Sequence, residues 1–511
     1  MQAGGNVSLT GSNTGIFSTV EEGAIGSTIG IDIEARSLSM NGGANLQALT
    51  RGEGDAGIIL VNASDFVSLS GVSPDGFSTG LFTSTEDRAT GIGGVIEVNT
   101  GSLRLSDGAV LSARTRNAFT GGDIVVNVNT LDATNGGQIL TTAFSTGRAG
   151  NITVIAANSI TLSGRDATFT DRFNQTVANL GPVLAPQVFD NVAPGSSGLF
   201  ANASADSNAE GGDINVSTRD LFIRNGAQVT VNNQGSGSAG NLQIKANRDI
   251  QLRNQGSITA ETRSGEGGNI TLDVGGFLLL LRNSEISTTA GTANAGGNGG
   301  DITINTHSDI IAAPANNNDI KANAFTGTGG NIQITAAALR AIARRPLNLK
   351  TNDINASSTL GIDGLVTTSS TLNLDPTQAL TNLPQTPVDA SRLLAQNCPA
   401  RGRSLSREEN KFTITGRGGL PPNPNDTLQS ESVVTPWVTL EPPVENRTGN
   451  ATSTNPNSSA LAESSVPKTP TYAEAQGWII SEKGEIILTA QASTVTPHNP
   501  SLTPATFCNG S

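Results

Sequence analysis

A short signature recurs from residue 5 to residue 334 of the chain: glycine, then Asn or Asp, then two apolar residues spaced by two. It is GNITV at 150, GGDINV at 211, GNLQI at 240 and GGNITL at 267. The glycines that precede these strands at 212, 240 and 268 are 28 residues apart, as are those at 122 and 150. A recurring period of this length, with occasional extra residues, is typical of a solenoid with loop insertions.

Within one unit, apolar residues fall at fixed offsets. The unit 240–267 carries them at Leu242/Ile244, Ile250/Leu252 and Ile258. Members of a pair are spaced by two, so both point to one face of a strand. Three inward faces per turn, joined by Gly/Asn corners, predict an all-β fold: a right-handed parallel β-helix of about 11 three-strand turns. The missing 3.6-residue period and the 60 glycines argue against a helical solenoid.

Charge and hydropathy narrow the classes of partner. The 511-residue chain has a net charge of −13, and no basic stripe is visible, so we expect no nucleic acid partner. No apolar run approaches the roughly 18–20 residues that a membrane helix needs, so we expect no transmembrane segment. With 36% hydrophobic residues, rich in Ile and Val, the chain differs from a disordered one.

The 37-residue and the 62-residue units contain extra residues, which in both follow the second strand, and the first unit has hardly any insertion at the same corner. The largest insertion, 164–197, contains the grouped charges Asp166, Asp171, Arg172 and Asp190. A polysaccharide-cleaving β-helix would need paired carboxylates or a carboxylate–Arg cluster of this kind. We expect these four charges to be solvated surface groups instead, and we expect the stacked loops to carry any binding function.

A column of Asn and Asp residues follows the anchor glycines: Asn151, Asp213, Asn241, Asn269, Asp301 and Asn331. Metal ligands are one interpretation, and a ladder of corner side chains is the other, which we favour. His307 and His498 lie in no Ser/His/Asp or zinc-binding context. We therefore predict no catalytic residue, no metal site, no cofactor and no enzyme activity.

The regular spacing of glycines and apolar pairs is lost after about residue 336. We predict a shaft over 1–375, a short helix and strand over 376–419, a Pro/Ser/Asn-rich linker over 420–470, and a hairpin module over 471–511. The helix covers 387–397 with Asp389 as its N-cap, the strand covers 410–416, and Thr471 and Glu474 match a capping box. The two cysteines, Cys398 and Cys508, allow one disulfide bridge, which would suit an oxidising compartment.

The repeats and several tail segments resemble a known family. The GGNIxI units resemble the β-helical shafts of filamentous haemagglutinin-like exoproteins secreted by the two-partner route. The tail is similar to the cyanobacterial branch of that group, often called filamentous haemagglutinin or S-layer family proteins. The matching segments are NDINASSTLGIDGLV at 352–366, LAQNCPARG at 394–402, NKFTITGRGGLPPNPND at 410–426 and GWIISEKGEIILTAQA at 477–492.

The resemblance implies a secreted, surface-associated rod that mediates cell–cell or cell–surface contact, with glycans or cell surfaces as partners. It also implies export through an outer-membrane two-partner transporter. The repeat is already present at Gly5, and the family's secretion domain has no match, so we expect a C-terminal fragment that lacks that domain. The alternatives are a β-helix that binds or cleaves polysaccharides, and a passive S-layer or envelope component.

Overall fold

The computed structural model describes residues 1–12, 14–26, 30–180, 195–205, 207–292, 294–314, 316–348 and 350–370, together with the strands of a separate hairpin. The chain divides into two compact units, Met1–Asp389 and Ala390–Ser511. In the described part of the first unit, two stacks of parallel strands form a β-solenoid of about 11 turns, so the predicted parallel β-helix is confirmed.

The first stack, the long sheet, collects the strands that open each turn. Its first seven turns contribute β1 (Asn6–Thr10), β3 (Ile31–Asn41), β5 (Ile59–Ser70), β7 (Ile96–Ser106), β9 (Ile124–Thr134), β11 (Ile152–Ser163) and β13 (Ile214–Arg224). In the later turns the same path is divided into β15 (Leu242–Ala246) with β16 (Ile250–Arg253), β18 (Ile270–Val274) with β19 (Leu278–Leu281), β21 (Ile302–Thr306) with β22 (Ile310–Ala312), β24 (Ile332–Ala336) with β25 (Leu339–Arg340), and finally β28 (Val366–Ser370).

The second stack, the short-strand sheet, is made of strands of two or three residues. They are β2 (Gly15–Phe17), β4 (Asn45–Gln47), β6 (Gly80–Phe82), β8 (Val110–Ser112), β10 (Gln138–Leu140), β12 (Gly198–Phe200), β14 (Gln228–Thr230), β17 (Ser257–Thr259), β20 (Glu285–Ser287), β23 (Asp319–Lys321), β26 (Ala343–Arg344) and β27 (Asp353–Asn355). Further along each turn, single parallel bridges such as Thr85↔Thr115 and Thr115↔Ala143 mark a third inward position.

The prediction of three separate strands in each turn is wrong for turns two to seven. There the first two apolar pairs share one strand of 11 or 12 residues. The corner between the pairs is an irregularity in register, for example between Ala156 and Ser159, because one extra residue can bend a strand without ending it. In later turns a polar or glycine pair such as Gly275–Gly276 ends the strand, and the predicted separate strands appear.

The core is a continuous column of aliphatic side chains. Ile33, Val61, Val98, Val126 and Val154 occupy one inward position of successive turns, and each is completely buried. Because each turn covers the apolar face of the next, stability adds turn by turn. No helix among the described residues is long and apolar enough to cross a membrane.

In the second unit, the structure describes the residues of two strands. β29 (Gly477–Ile480) and β30 (Ile486–Thr489) pair antiparallel at the place where the sequence predicts a hairpin. The predicted helix at 387–397, the strand at 410–416, the linker, the capping box and both cysteines lie outside the described residues, as does the predicted boundary at 375.

Candidate binding groove on the short-strand sheet

The outer face of the short-strand sheet forms the floor of a groove. In each three-residue strand the middle residue points into the core, as Leu81 and Leu111 do, so the first and third residues point outwards. The register stacks these outward residues in one column: Phe17 lies beside Gln47, Gln47 beside Phe82, and Phe82 beside Ser112.

Three of these strands share the pattern Gly-apolar-Phe. In β6, a Cβ added to Gly80 would lie 3.0 Å from the ζ carbon of Phe82 and 2.4 Å from the carbonyl oxygen of Val110. The same overlap with the phenylalanine ring, at 2.8 and 2.9 Å, recurs at Gly15 and Gly198. Each ring therefore folds back over the glycine of its own strand, because only a residue without a side chain leaves room for it.

A second apolar cluster lies on this outer face, separate from the core. Val110, Leu140 and Phe200 are buried together, and Phe82 packs against them half-exposed. Towards the first turn the floor is more open, and Phe17 exposes 59% of its surface. Outward apolar side chains on a solenoid surface are costly in water, so this face is suited to contact with a ligand or partner.

One side of the groove is a column of charged residues in the second, third and fourth turns. Arg116 is nearly buried, its Nε lies 3.6 Å from Oε2 of Glu86, and its guanidinium lies 5.1 Å from the ring centroid of Phe144. One turn before Glu86, Arg51 is more open and pairs with Glu21 at 3.2 Å. These side chains are positioned by ion pairs and a ring face, which gives the groove an ordered cationic edge.

The opposite side is the large insertion. It contains a helix, α1 (Phe169–Leu180), which the sequence interpretation missed although Phe169, Phe173 and Val177 have helical spacing. The carboxylate of Asp166 accepts a hydrogen bond at 2.8 Å from the backbone amide of Thr168, the residue before this helix. The ring centroids of Phe169 and Phe173 are 6.3 Å apart.

The expectation that the charges of the insertion are solvated is wrong for two of them. Asp166 and Arg172 form an ion pair whose side chains are 6% and 8% exposed. Arg172 also donates from Nη1 to the carbonyl oxygen of Gly76 at 2.8 Å, which joins the insertion to the smaller loop three turns earlier. Asp171 is exposed, and Asp190 lies outside the described residues.

The groove between these two sides encloses about 680 Å³. Its floor comes from the first five turns, and its walls include Phe77 of the small loop and Phe169 of the large insertion. The prediction that the extra residues of the third and sixth turns occupy one corner, between the long and the short strand, is confirmed. Because the turns stack in register, loops far apart in sequence meet along one edge of the sheet.

The Asn/Asp column has a structural role. Each side-chain oxygen accepts a hydrogen bond from the backbone amide one turn later: Asp213 from Asn241 at 2.7 Å, Asn241 from Asn269 at 3.1 Å, and Asp301 from Asn331 at 2.7 Å. Burial would raise the pKa of Asp213, but hydrogen bonds from Asn241 and Arg148 outweigh burial and lower it. The ladder interpretation is therefore confirmed. Across the described ranges, no group of three His, Cys, Asp or Glu residues could hold a metal ion.

A second, polar depression lies just after the strands of the short-strand sheet in later turns. It encloses about 340 Å³ and is lined by Glu261 and Arg263, among others. Burial raises the pKa of Glu261, and the charge of Glu285 acts in the same direction. Burial lowers the pKa of Lys321, but Glu285, 2.8 Å away, and Glu261 outweigh that effect and raise it.

The sequence interpretation located the insertion but did not predict the groove. The signal that could have found its floor is the Gly-apolar-Phe pattern at 15, 80 and 198, since alternation alone places those phenylalanines outside. His307 is exposed, with its ring Nδ1 3.4 Å from the carbonyl oxygen of Val274, and His498 lies outside the described residues.

Comparison of the chain with protein-family models, with curated proteins and with solved structures found no match.

Proposed function

We propose that this chain is a structural and adhesive exoprotein of the cell surface. In this proposal the solenoid is a shaft, and the groove on its short-strand sheet is where the shaft contacts glycans or another surface. The resemblance of the repeats and tail to filamentous haemagglutinin-like proteins supports the class, and the β-solenoid fold is compatible with it.

The observation that carries the proposal is the groove itself. It combines exposed rings, Phe17 at 59% and Phe77 at 47%, with ordered arginines and with amide side chains such as Gln47. Aromatic faces that pack against apolar ring faces, together with hydrogen-bonding groups beside them, are typical of sites that hold polar ring compounds.

A binding experiment tests the proposal. Beads coated with the purified chain are mixed with a panel of immobilised polysaccharides and with intact bacterial cells, and retention is measured. We expect retention by at least one polysaccharide or cell type, and we expect Phe17→Ala with Phe82→Ala to remove most of it. The matched control is Phe66→Ala with Phe277→Ala, which removes two rings that are 39% and 42% exposed outside the groove.

The outcomes separate the alternatives. Equal loss in both double variants would mean that general surface hydrophobicity causes retention, and the groove would have no adhesive role. If the folded chain retained no polysaccharide and no cell, the result would favour a passive envelope component. Shortening of a polysaccharide by the purified chain would overturn the proposal in favour of an enzyme.

Location and export are part of the same proposal. We expect the protein outside the cell or on its outer surface, delivered through an outer-membrane two-partner transporter. Antibody labelling of intact cells, compared between a wild-type strain and one lacking the transporter gene nearest to this gene, measures this directly. Equal labelling of the two strains would contradict the proposed route.

A further inference from the structure

The outer face of the long sheet changes its chemistry along the shaft. The change is in the half of the sheet that carries the second apolar pair of each turn. In the second to sixth turns the register stacks one outward column of Ser39, Ser68, Arg104, Asp132 and Thr161. In the seventh to tenth turns the same column consists of Phe222, Gln251, Leu279 and Ile311. The fold is the same in both parts, so it does not itself require apolar residues here.

The outward residues of the seventh to tenth turns form what we call the late outer face. Burial alternates along β19, so Leu279 and Leu281 point outwards. Both are only half-buried, as are Phe222 and Ile311. Outward apolar side chains on neighbouring strands are costly in water, and patches of this kind mark places of contact.

Three arginines border the late outer face where its strands end. Arg224 and Arg253 lie directly opposite each other in adjacent strands, and Arg282 of the next turn places Nη1 3.3 Å from Oδ1 of Asn254. All three are exposed. Among the residues that the structure describes they form no ion pair, whereas three arginines of the groove have carboxylate partners. Like charges side by side repel each other, so this column favours an anion beside it.

The other charged residues of the face hold one another. They are Arg219, Arg248, Arg340, Asp220, Asp249 and Asp309. Asp220 pairs with both Arg219 and Arg248, and Asp309 pairs with Arg340. The available positive charge is therefore that of the three bordering arginines. They are 29 residues apart, at 224, 253 and 282, so the sequence shows no basic stripe and only the stacking of turns assembles one.

The size of the late outer face argues against a protein partner. Turns are ~4.8 Å apart and a strand residue spans ~3.3 Å, so four strands of four residues cover ~250 Å². A stable protein–protein interface covers about 800 Å² on each partner. A lipid surface has no such minimum, because each apolar side chain and each arginine beside a phosphate contributes separately.

We propose that the late outer face binds an anionic lipid surface, with its apolar side chains at the acyl-chain boundary and its three bordering arginines on the lipid phosphates. A guanidinium group presents a planar pair of donors that matches two phosphate oxygens. Apolar side chains beside cationic ones are suited to the boundary between acyl chains and headgroups. A nucleic acid would use the arginines alone. Because the face extends over four turns, the shaft would lie parallel to the lipid surface.

Sedimentation of the full chain with lipid vesicles tests the inference. Vesicles of phosphatidylglycerol and phosphatidylcholine in equal parts should carry the chain down, and vesicles of phosphatidylcholine alone should not. Binding should weaken as salt rises. Inorganic phosphate at the concentration of the lipid phosphate should not displace the chain, because it offers no apolar contact.

A charge variant tests the arginines. Arg224→Gln with Arg253→Gln should weaken binding to the anionic vesicles by about tenfold. The matched control is Arg36→Gln with Arg104→Gln, which removes the same charge from exposed positions of the same sheet in earlier turns. The control should leave binding nearly unchanged, and circular dichroism should show both variants folded.

An apolar variant tests the side chains between them. Leu279→Thr with Ile311→Thr should weaken binding by about tenfold. It should stay folded, because the same column already contains Thr161 in the sixth turn. The matched control is Leu60→Thr with Ile155→Thr, which changes outward apolar residues in the other half of the long sheet.

The outcomes also separate this inference from the proposed adhesive function, beyond which it goes. Equal binding to neutral vesicles, or equal loss in a variant and its control, would overturn it. Displacement by inorganic phosphate, or tighter binding of single-stranded DNA than of vesicles, would overturn it too. Phe277 borders the late outer face, so the groove is judged on the polysaccharide arm of the bead assay, which contains no lipid. Failure of that arm would count against the groove and leave vesicle binding as it was measured.

Discussion

At the residue scale, the stacking of anchor glycines sets the closest approach between turns. A Cβ added to Gly240 would lie 1.9 Å from the carbonyl oxygen of Gly212, and one added to Gly268 would lie 1.7 Å from that of Gly240. Both contacts are with backbone atoms that the neighbouring strands hold in place. The glycine of the repeat is therefore a steric requirement of the stack, and it marks where each turn begins.

The close approach of the turns predicts that adding one methyl group at an anchor glycine strongly lowers the stability of the shaft. Gly240→Ala should destabilise the shaft by at least about 2 kcal/mol, because the turn must move apart from its neighbour to admit the methyl group. Thermal unfolding followed by circular dichroism measures the change. Gly296→Ala is the control, since its nearest neighbour, Oγ1 of Thr326, is 3.8 Å away. Equal midpoints for the two variants would contradict the steric explanation.

Glu261 gives a prediction about pH. Burial raises its pKa above the ordinary value of 4.5, so folding favours the protonated form. The stability that this carboxyl contributes is present below pH 4.5 and is lost as the pH rises through the raised folded value. Glu261→Gln keeps an acceptor for the hydroxyl of Ser287.

We therefore expect Glu261→Gln to be more stable than the wild type at pH 7, and to differ less from it at pH 4. Urea unfolding at both pH values measures this, with Glu53→Gln, at an exposed position, as the control for net charge. A variant that loses stability at pH 7 would show that the charged form is the one that folding favours.

At the scale of elements, the apolar pairs spaced by two were enough to predict the strands and their parallel stacking. The sequence did not reveal that the first two pairs join in one strand, because a strand bent by an extra residue has the same alternation as two strands with a corner between them. The groove was not predictable for a different reason. Phe82, Arg116 and Arg172 come from different turns, and only the register of the sheet brings them together.

Arg172 joins the helix of the insertion to the shaft, through the carboxylate of Asp166 and the carbonyl oxygen of Gly76. Arg172→Ala leaves the carboxylate of Asp166 nearly buried and removes the hydrogen bond to Gly76, which should cost about 3–5 kcal/mol locally. We expect α1 to become susceptible to proteolysis while the thermal midpoint of the shaft stays nearly constant. Limited proteolysis with mass spectrometry measures the first effect. Cleavage in the strands before the insertion would contradict this separation.

At the scale of the whole molecule, the shaft is a row of near-equivalent turns, each in contact mainly with its two neighbours. Ile214 pairs with Leu242, and Leu242 pairs with Ile270, in the same register. The unit 240–267 therefore has matching surfaces above and below it. A solenoid of this kind gains its stability as a sum of turns and of the interfaces between them.

Deletion of residues 240–267 should consequently leave a folded protein that is one turn shorter. Ile214 would pair with Ile270, and we expect an unchanged circular dichroism spectrum and a thermal midpoint within about 5 °C of the full chain. Deletion of residues 240–253, half a turn, should unfold or aggregate, because it moves the inward faces out of register. If both deletions behaved alike, the turns would not be interchangeable units.

The parallel stacking also determines how the shaft would respond to a pulling force. Its backbone hydrogen bonds between turns point along the axis, so tension applied at its two ends opens them in sequence from one end, as in unzipping. One unit of 28 residues would extend to ~95 Å when it detaches. If the proposed adhesive role holds, a cell held by such a shaft in flowing water would meet a tether that lengthens in steps, one turn at a time, and absorbs mechanical work before the attachment breaks.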